Sequence, residues 1–390
     1  MNKHTRIVAA IAVFLLVAVA PTFGQGGQLF DRVAQTLERR YFDKEYRAEV
    51  LPALTAAFRP IALETKSLED ERLVVHTYLS RIPATHLALY SSQTYAGLMR
   101  ELTSRETPQV GFGVVRLDGK HYVASVFEGG PAELAGLRRG DRLLSLDGES
   151  LFESPRLDWR SDDAFLPDPP VHAVLGEETA TLIVERQPGE LLEIVIEPEP
   201  YSAWEAAKAS VRVEEVDGER IGYVHFWLVH MSGPGALLEK LFEGPFADCS
   251  ALVLDLRGRG GNAAEVDRIL SALQKKWRRP TIALIDRGTR SAKEVLAYEF
   301  KERELGWLLG EPTAGAVIPA TFEDVGSGAV LMFPSFILGK YTQILEHHPV
   351  EPHIVVEDDL PYANGKDPIA DAGFEAAVQA AKGKNPAEGR

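Results

Sequence analysis

The chain has 390 residues, 45% apolar and 25% charged, with a formal net charge of −15 and a single cysteine. That length calls for two or three domains around a substantial core. The negative balance argues against nucleic acid or an anionic membrane surface as partner, and Cys249 alone cannot close an internal disulfide.

The amino terminus has the pattern of an export signal. Lys3 and Arg6 flank the start of an apolar run from Ile7 to Ala20, shorter than the about 20 residues a spanning helix needs. Pro21-Thr22-Phe23-Gly24 follows, so residues 1–24 read as a signal peptide cut near Gly24. Cleavage takes the charge from −15 to −17 by removing Lys3 and Arg6. A periplasmic or secreted protein is expected, with no membrane attachment beyond the cleaved signal.

Residues 25–106 carry apolar positions at helical spacing. Phe30, Val33, Leu37 and Tyr41 outline one helix, Leu54, Ala57 and Phe58 a second, and Leu73, Val74, Tyr78 and Leu79 a third. Pro83-Ala84-Thr85-His86-Leu87 breaks the pattern and puts His86 in a loop behind a hydroxyl residue.

Residues 107–203 change to short strands and glycine turns. Gln109 to Val115 reads as a strand with glycines at 111 and 113, and Gly140 to Gly148 as a strand closed by an Asp-Gly turn. Gly130-Pro131-Ala132 through Ala135-Gly136-Leu137 to Gly140-Asp141 and Asp147-Gly148 forms a spaced motif. This segment resembles a PDZ domain of the bacterial protease type. The resemblance implies capture of an extended peptide as an added strand, its carboxylate held on backbone amides near Gly111, Phe112 and Gly113. Residues 152–174, rich in Pro and Asp, form an insertion with no assigned role, and residues 205–213 read as a linker.

Residues 210–382 repeat strand, turn and helix, as a mostly parallel sheet does. Ala251 to Leu256 is a buried strand that runs into Arg257-Gly258-Arg259-Gly260-Gly261-Asn262. No Lys-Ser/Thr follows the glycines, so this loop is better suited to offering amides to an oxyanion than to cradling phosphate. Thr281 to Ile285 is a second buried strand, Asp286 to Arg290 a polar turn, and a helix follows Ser291. Read alone, Ser291 is a helix N-cap. Residues 383–390 read as a tail.

Taken together, GYVHF, LDLRGRGG, GTRSAKE, GEPTAG and the Glu-x-x-x-Val-x-Pro tail are similar in order and spacing to the S41 peptidases. These comprise the carboxy-terminal processing proteases and the tricorn core proteases. The resemblance implies an α+β multidomain chain, with an N-terminal helical unit, a PDZ-like β-rich domain and an α/β catalytic core of the ClpP/crotonase-like type. It implies a serine endopeptidase acting on protein or peptide substrates, with Ser291 as nucleophile. The oxyanion hole would draw on Ala292 and on the glycine loop at Gly260 or Gly261. The processing proteases place a lysine after Thr-x-Gly, where this chain has Ala316 behind Thr313-Ala314-Gly315. Lys293, two residues from Ser291 on a helix, points elsewhere. The tricorn-like branch uses a histidine with a neighbouring hydroxyl and a glutamate, and Thr85, His86 and Glu346 stand at the matching places. A neutral imidazole is a suitable base for a serine hydroxyl. No cofactor is expected, and His347-His348 lacks the spacing of a metal site. A second reading is a binding or scaffold protein on the same fold, its peptidase machinery decayed and its cleft or PDZ-like domain holding a peptide or apolar ligand.

Overall fold

The computed structural model describes residues 26–151, 154, 156–158, 171–173 and 178–388. The expected signal peptide and most of the 152–174 insertion lie outside the described residues. Among the described residues no helix is long and apolar enough to cross a membrane.

The amino-terminal unit packs four helices: α1 (Gln28–Arg40), α2 (Lys44–Glu49), α3 (Leu51–Leu63) and α4 (Leu68–Leu79). Leu29, Phe30, Val33 and Leu37 of α1 are fully buried, as their spacing predicts. Asp43 and Ser67 cap α2 and α4 through side-chain bonds to the first free amides. Leu73, expected in the core, is 66% exposed. The buried face of α4 instead carries Glu71, Val75, Tyr78 and Leu79. Glu71 is drawn inside because its carboxylate accepts the Phe30 amide at 3.0 Å. Strand β1 (Ala88–Ser91) and helix α5 (Ser92–Leu102) follow.

The next unit is β-rich. It contains β2 (Thr107–Gln109), β3 (Phe112–Leu117), β4 (Lys120–Val126), the short helix α6 (Pro131–Leu134), β5 (Arg142–Leu146) and β6 (Glu149–Ser150). It continues with β7 (Leu157–Asp158), β8 (Val171–Ala173), β9 (Ala180–Gln187), β10 (Glu190–Ile196) and β11 (Glu199–Tyr201). The main sheet has the order β10-β9-β5-β4-β3-β8-β7, with β6 paired to β5. The 205–213 stretch is not a linker. Helix α7 (Ala203–Ala209), capped by Ser202, buries Ala203, Ala206 and Ala207. Alanine carries too weak an apolar signal for that burial to be read from sequence.

The carboxy-terminal core is a six-stranded sheet: β12 (Arg212–Val216), β13 (Glu219–His225), β14 (Ala251–Asp255), β15 (Thr281–Ile285), β16 (Trp307–Gly310) and β19 (Ile354–Val355). All but β12 run parallel. Helices α8 (Pro234–Glu243), α9 (Val266–Ala272) and α10 (Ala292–Glu302) bury one face, and α12 (Pro368–Ala381) covers the other. Burial on both faces explains the unbroken apolar runs of β14 and β15. The helix expected from Ala263 to Gln274 is broken into a 3₁₀ turn, α9 and a wider final turn.

A hairpin of β17 (Ala320–Gly326) and β18 (Ala329–Pro334), with α11 (Gly339–Leu345) after it, leaves this sheet and pairs with β1. Val325, Ala329, Leu331 and Phe333 join the core of the amino-terminal helices. The helical unit is thus completed by strands that lie more than 200 residues away in sequence.

Candidate active site

The parallel strands β13, β14, β15 and β16 deliver four loops to the same edge of the sheet, where sites form in open α/β folds. Ser291 stands on the loop from β15 into α10, with φ 58° and ψ −122°. Such a backbone costs a non-glycine residue about 1–3 kcal/mol and holds a serine at the tip of a sharp strand-to-helix turn. Two bonds to its amide keep it there. The Ser291 N–H donates to Ala316 O at 2.8 Å and to Glu294 Oε2 at 3.1 Å.

Glu294 is fully buried and organises the surrounding loops. Besides Ser291, it accepts Thr313 Oγ1 at 2.6 Å and the amides of Gly315 and Ala316 at 2.7 and 2.8 Å. Burial pushes its carboxyl up against the pull of these four donors. Glu294 is therefore a structural anchor.

The same short segment carries the histidine cluster. Val317 and Ile318 donate their amides to Glu346 Oε2 at 3.0 and 2.9 Å. Glu346 Oε1 accepts both the amide and the hydroxyl of Thr85, at 3.0 and 2.8 Å. The Thr85 oxygen lies 3.0 Å from His86 Nδ1. Its one hydrogen goes to Glu346, so the oxygen accepts from Nδ1–H. This fixes the tautomer that carries its lone pair on Nε2. Thr85 and His86 are buried, and His86 has a positive φ of 57°. Thus Thr85, His86 and Glu346 form one chain, and residues 315–318 join it to Ser291. Ala316 serves through its backbone on both sides, its N–H donating to Glu294 and its carbonyl oxygen accepting from Ser291.

The glycine loop closes the other flank. A Cβ on Gly260 would sit 2.7 Å from Ser291 Cβ and 2.6 Å from Arg290 O, so only glycine fits against the serine. Gly261 instead packs on Val229 through an isolated bridge. Ala292, the first residue of α10, is 2% exposed. The loop is anchored by a buried ion network. Arg257 bonds Asp255 at 2.6 Å and Asp367 at 2.7 Å, and Tyr223 donates to Asp255 at 2.8 Å. Burial alone would raise the Asp255 carboxyl, but the guanidinium overrides it and holds the group well below the usual carboxylate range. Gly258 N donates to Asp286 Oδ1 at 3.0 Å.

The expected peptide-capturing residues Gly111, Phe112 and Gly113 line a cavity of about 200 Å³, together with Trp227, Gly258 and Arg290. One cavity therefore runs from the β-rich unit to the turn that carries Ser291. The outer edge of β3 is occupied: β8 pairs with it at Gly113 and Val114. A peptide adding to β3 at that register would displace β8. The β-rich unit is fastened beside the cavity by Glu128, which accepts Trp227 Nε1 at 2.6 Å and lies 3.3 Å from His225 Nδ1.

Sequence reasoning did not assign Asp286, Asp367 or Glu128 to this site. Isolated acids on loops carry no periodic signal, and their partners come from distant segments.

Comparison with known proteins agrees with this layout. The model of peptidase family S41 matches residues 262–356, and a PDZ domain model matches residues 122–159. A chloroplastic C-terminal processing peptidase from Tetradesmus obliquus is 27% identical over 52% of this chain and 49% of its own length. A putative tricorn protease homolog 2 from Streptomyces coelicolor is 22% identical over 92% of this chain and 33% of its own. The carboxy-terminal processing protease CtpA of Bacillus subtilis is 22% identical over 85% and 72%. The matches thus span about half and a third of the length of the first two relatives. Among solved structures, mature CPAF matches with a TM-score of 0.54 at 13% identity, over 93% of this chain and 98% of that one. The photosystem II D1 C-terminal processing protease matches with 0.50 at 18% identity, over 89% and 99%. Residues 262–356 thus match peptidase family S41 and residues 122–159 a PDZ domain, and similarity to a carboxy-terminal processing protease extends over 85% of the chain.

Proposed function

We propose that the protein is an exported serine endopeptidase that cleaves protein or peptide substrates. Ser291 attacks the scissile carbonyl, and His86 Nε2 takes its proton and returns it to the leaving amine. The amides of Gly260 and Ala292 receive the oxyanion, where fixed donors contribute most to such reactions. Thr85 and Glu346 act through His86, holding its tautomer and favouring the imidazolium. The observation that carries the reading is the common attachment of Ser291 and the Thr85–His86–Glu346 chain to residues 315–318.

Labelling with a serine-directed fluorophosphonate tests it. The expected result is an adduct at Ser291 that is lost in Ser291→Ala, with peptide hydrolysis reduced several orders of magnitude in His86→Ala. No adduct, even with peptide present, would favour the binding-protein reading. Undiminished hydrolysis by His86→Ala would remove His86 from the mechanism.

A further inference from the structure

Lys293 is in an unfavourable place for a cation. It is 0% exposed and lies in the first turn of α10, where desolvation and the helix dipole both oppose a positive charge. Its ammonium is held by two backbone carbonyls, Trp227 O at 3.0 Å and Arg257 O at 2.8 Å. These belong to the loops after β13 and β14. The two loops are also laced together, since Val229 N donates to Gly260 O and Asn262 N to Val229 O. One side chain thus ties the helix that starts beside Ser291 to both loops flanking it, including the one that brings Gly260 against the serine.

We propose that Lys293 is a positioning residue that clamps the Gly258–Gly261 loop in its oxyanion-binding form. The inference rests on the peptidase reading of Ser291. Lys293 is not the base, because its nitrogen is committed to the two carbonyls. Burial pulls its pKa down to about 7, Asp286 and Asp255 draw it back up, and Arg257 opposes them. His230, on the loop after β13, feels the lysine charge in turn, and Glu294 is its neighbour on α10. As pH rises through that value the clamp loses its charge. The bonds to the carbonyls then weaken from charge-assisted to neutral strength.

The test compares wild type with Lys293→Met, which keeps the bulk and removes the donors. Peptide hydrolysis and the rate of fluorophosphonate labelling are followed from about pH 5.5 to 9.5, spanning ordinary histidine and shifted lysine titrations. The expected result is a kcat loss of about tenfold or more, KM within about twofold, and a wild-type alkaline decline above about pH 7 that the variant lacks. A variant with wild-type kcat, or with low kcat but the same alkaline decline, would overturn the proposal. Should the variant fail to fold, the wild-type profile decides alone: a labelling rate flat across the alkaline range overturns it. Absence of any wild-type labelling would strike the peptidase reading, and this inference would fall with it.

Discussion

Thr85 shows what one hydroxyl does at this site. It is 1% exposed, donates to Glu346 and receives His86 Nδ1–H. Thr85→Val keeps the shape and severs the relay, removing the acceptor that sets the imidazole tautomer. A kcat loss of about 10²-fold with little change in KM is expected, read by steady-state peptide kinetics. Glu346→Gln should cost more, because an amide nitrogen would face one of two pairs of donors that now share a carboxylate. Lys293 makes a separate prediction for stability. Its folded pKa of about 7 lies below its ordinary 10.5, so the unfolded chain binds more protons between those values. Wild type should therefore gain thermal stability relative to Lys293→Met as pH rises from about 7 toward 10. Activity is expected to move the opposite way.

At the scale of elements, the turn that carries Ser291 keeps its shape because its neighbours leave no slack. The strained Ser291 backbone is held by Ala316 and Glu294, while Gly260 occupies space that admits no side chain. Gly260→Ala would push a methyl group into Ser291 Cβ. Fluorophosphonate labelling should fall by about 10²-fold or more, while the PDZ domain and amino-terminal unit, whose cores lie elsewhere, keep their fold. The loop between β14 and α9 depends equally on Arg257, which is clasped by Asp255 and Asp367. Burial would raise the Asp367 carboxyl, yet the guanidinium wins and both acids titrate below their ordinary 3.8. Groups shifted downward stabilise the fold above the unfolded pKa and lose that contribution as pH falls. Acid unfolding should therefore set in below about pH 4 and be less steep in Asp367→Asn, as followed by circular dichroism.

At the scale of the whole molecule, the proposed catalytic arrangement spans units that the chain order separates. His86 reaches the core edge because β1 pairs with β18, and the hairpin of β17 and β18 fills the core of the amino-terminal helices. Among the described residues the PDZ domain is docked at two places. Glu128 meets His225 and Trp227, and Arg138, Arg139 and Gln187 grip residues 358–366. Glu128→Gln should loosen the first attachment, read as faster amide exchange around Trp227 with the second attachment unchanged.

Much of this was legible in the sequence for physical reasons. Continuous apolar runs in β14 and β15 announce strands buried on both faces. The turn before Ser291 announces a strand-to-helix switch. The apolar spacing of α1 announces its buried face. The motif order further singled out Thr85, His86 and Glu346 across more than 250 residues. What only the tertiary structure decided is how those residues meet. The hydrogen-bonding segment 315–318 shows no side-chain signal, because it acts through backbone amides. The exposure of Leu73, the buried alanines of α7 and the pairing of β8 with β3 depend on which surfaces face each other. Lys293 makes the distinction plainest. Sequence shows a lysine two residues from the serine, diverging on a helix, and the reason a buried cation is tolerated there lies in two carbonyls on loops from other strands.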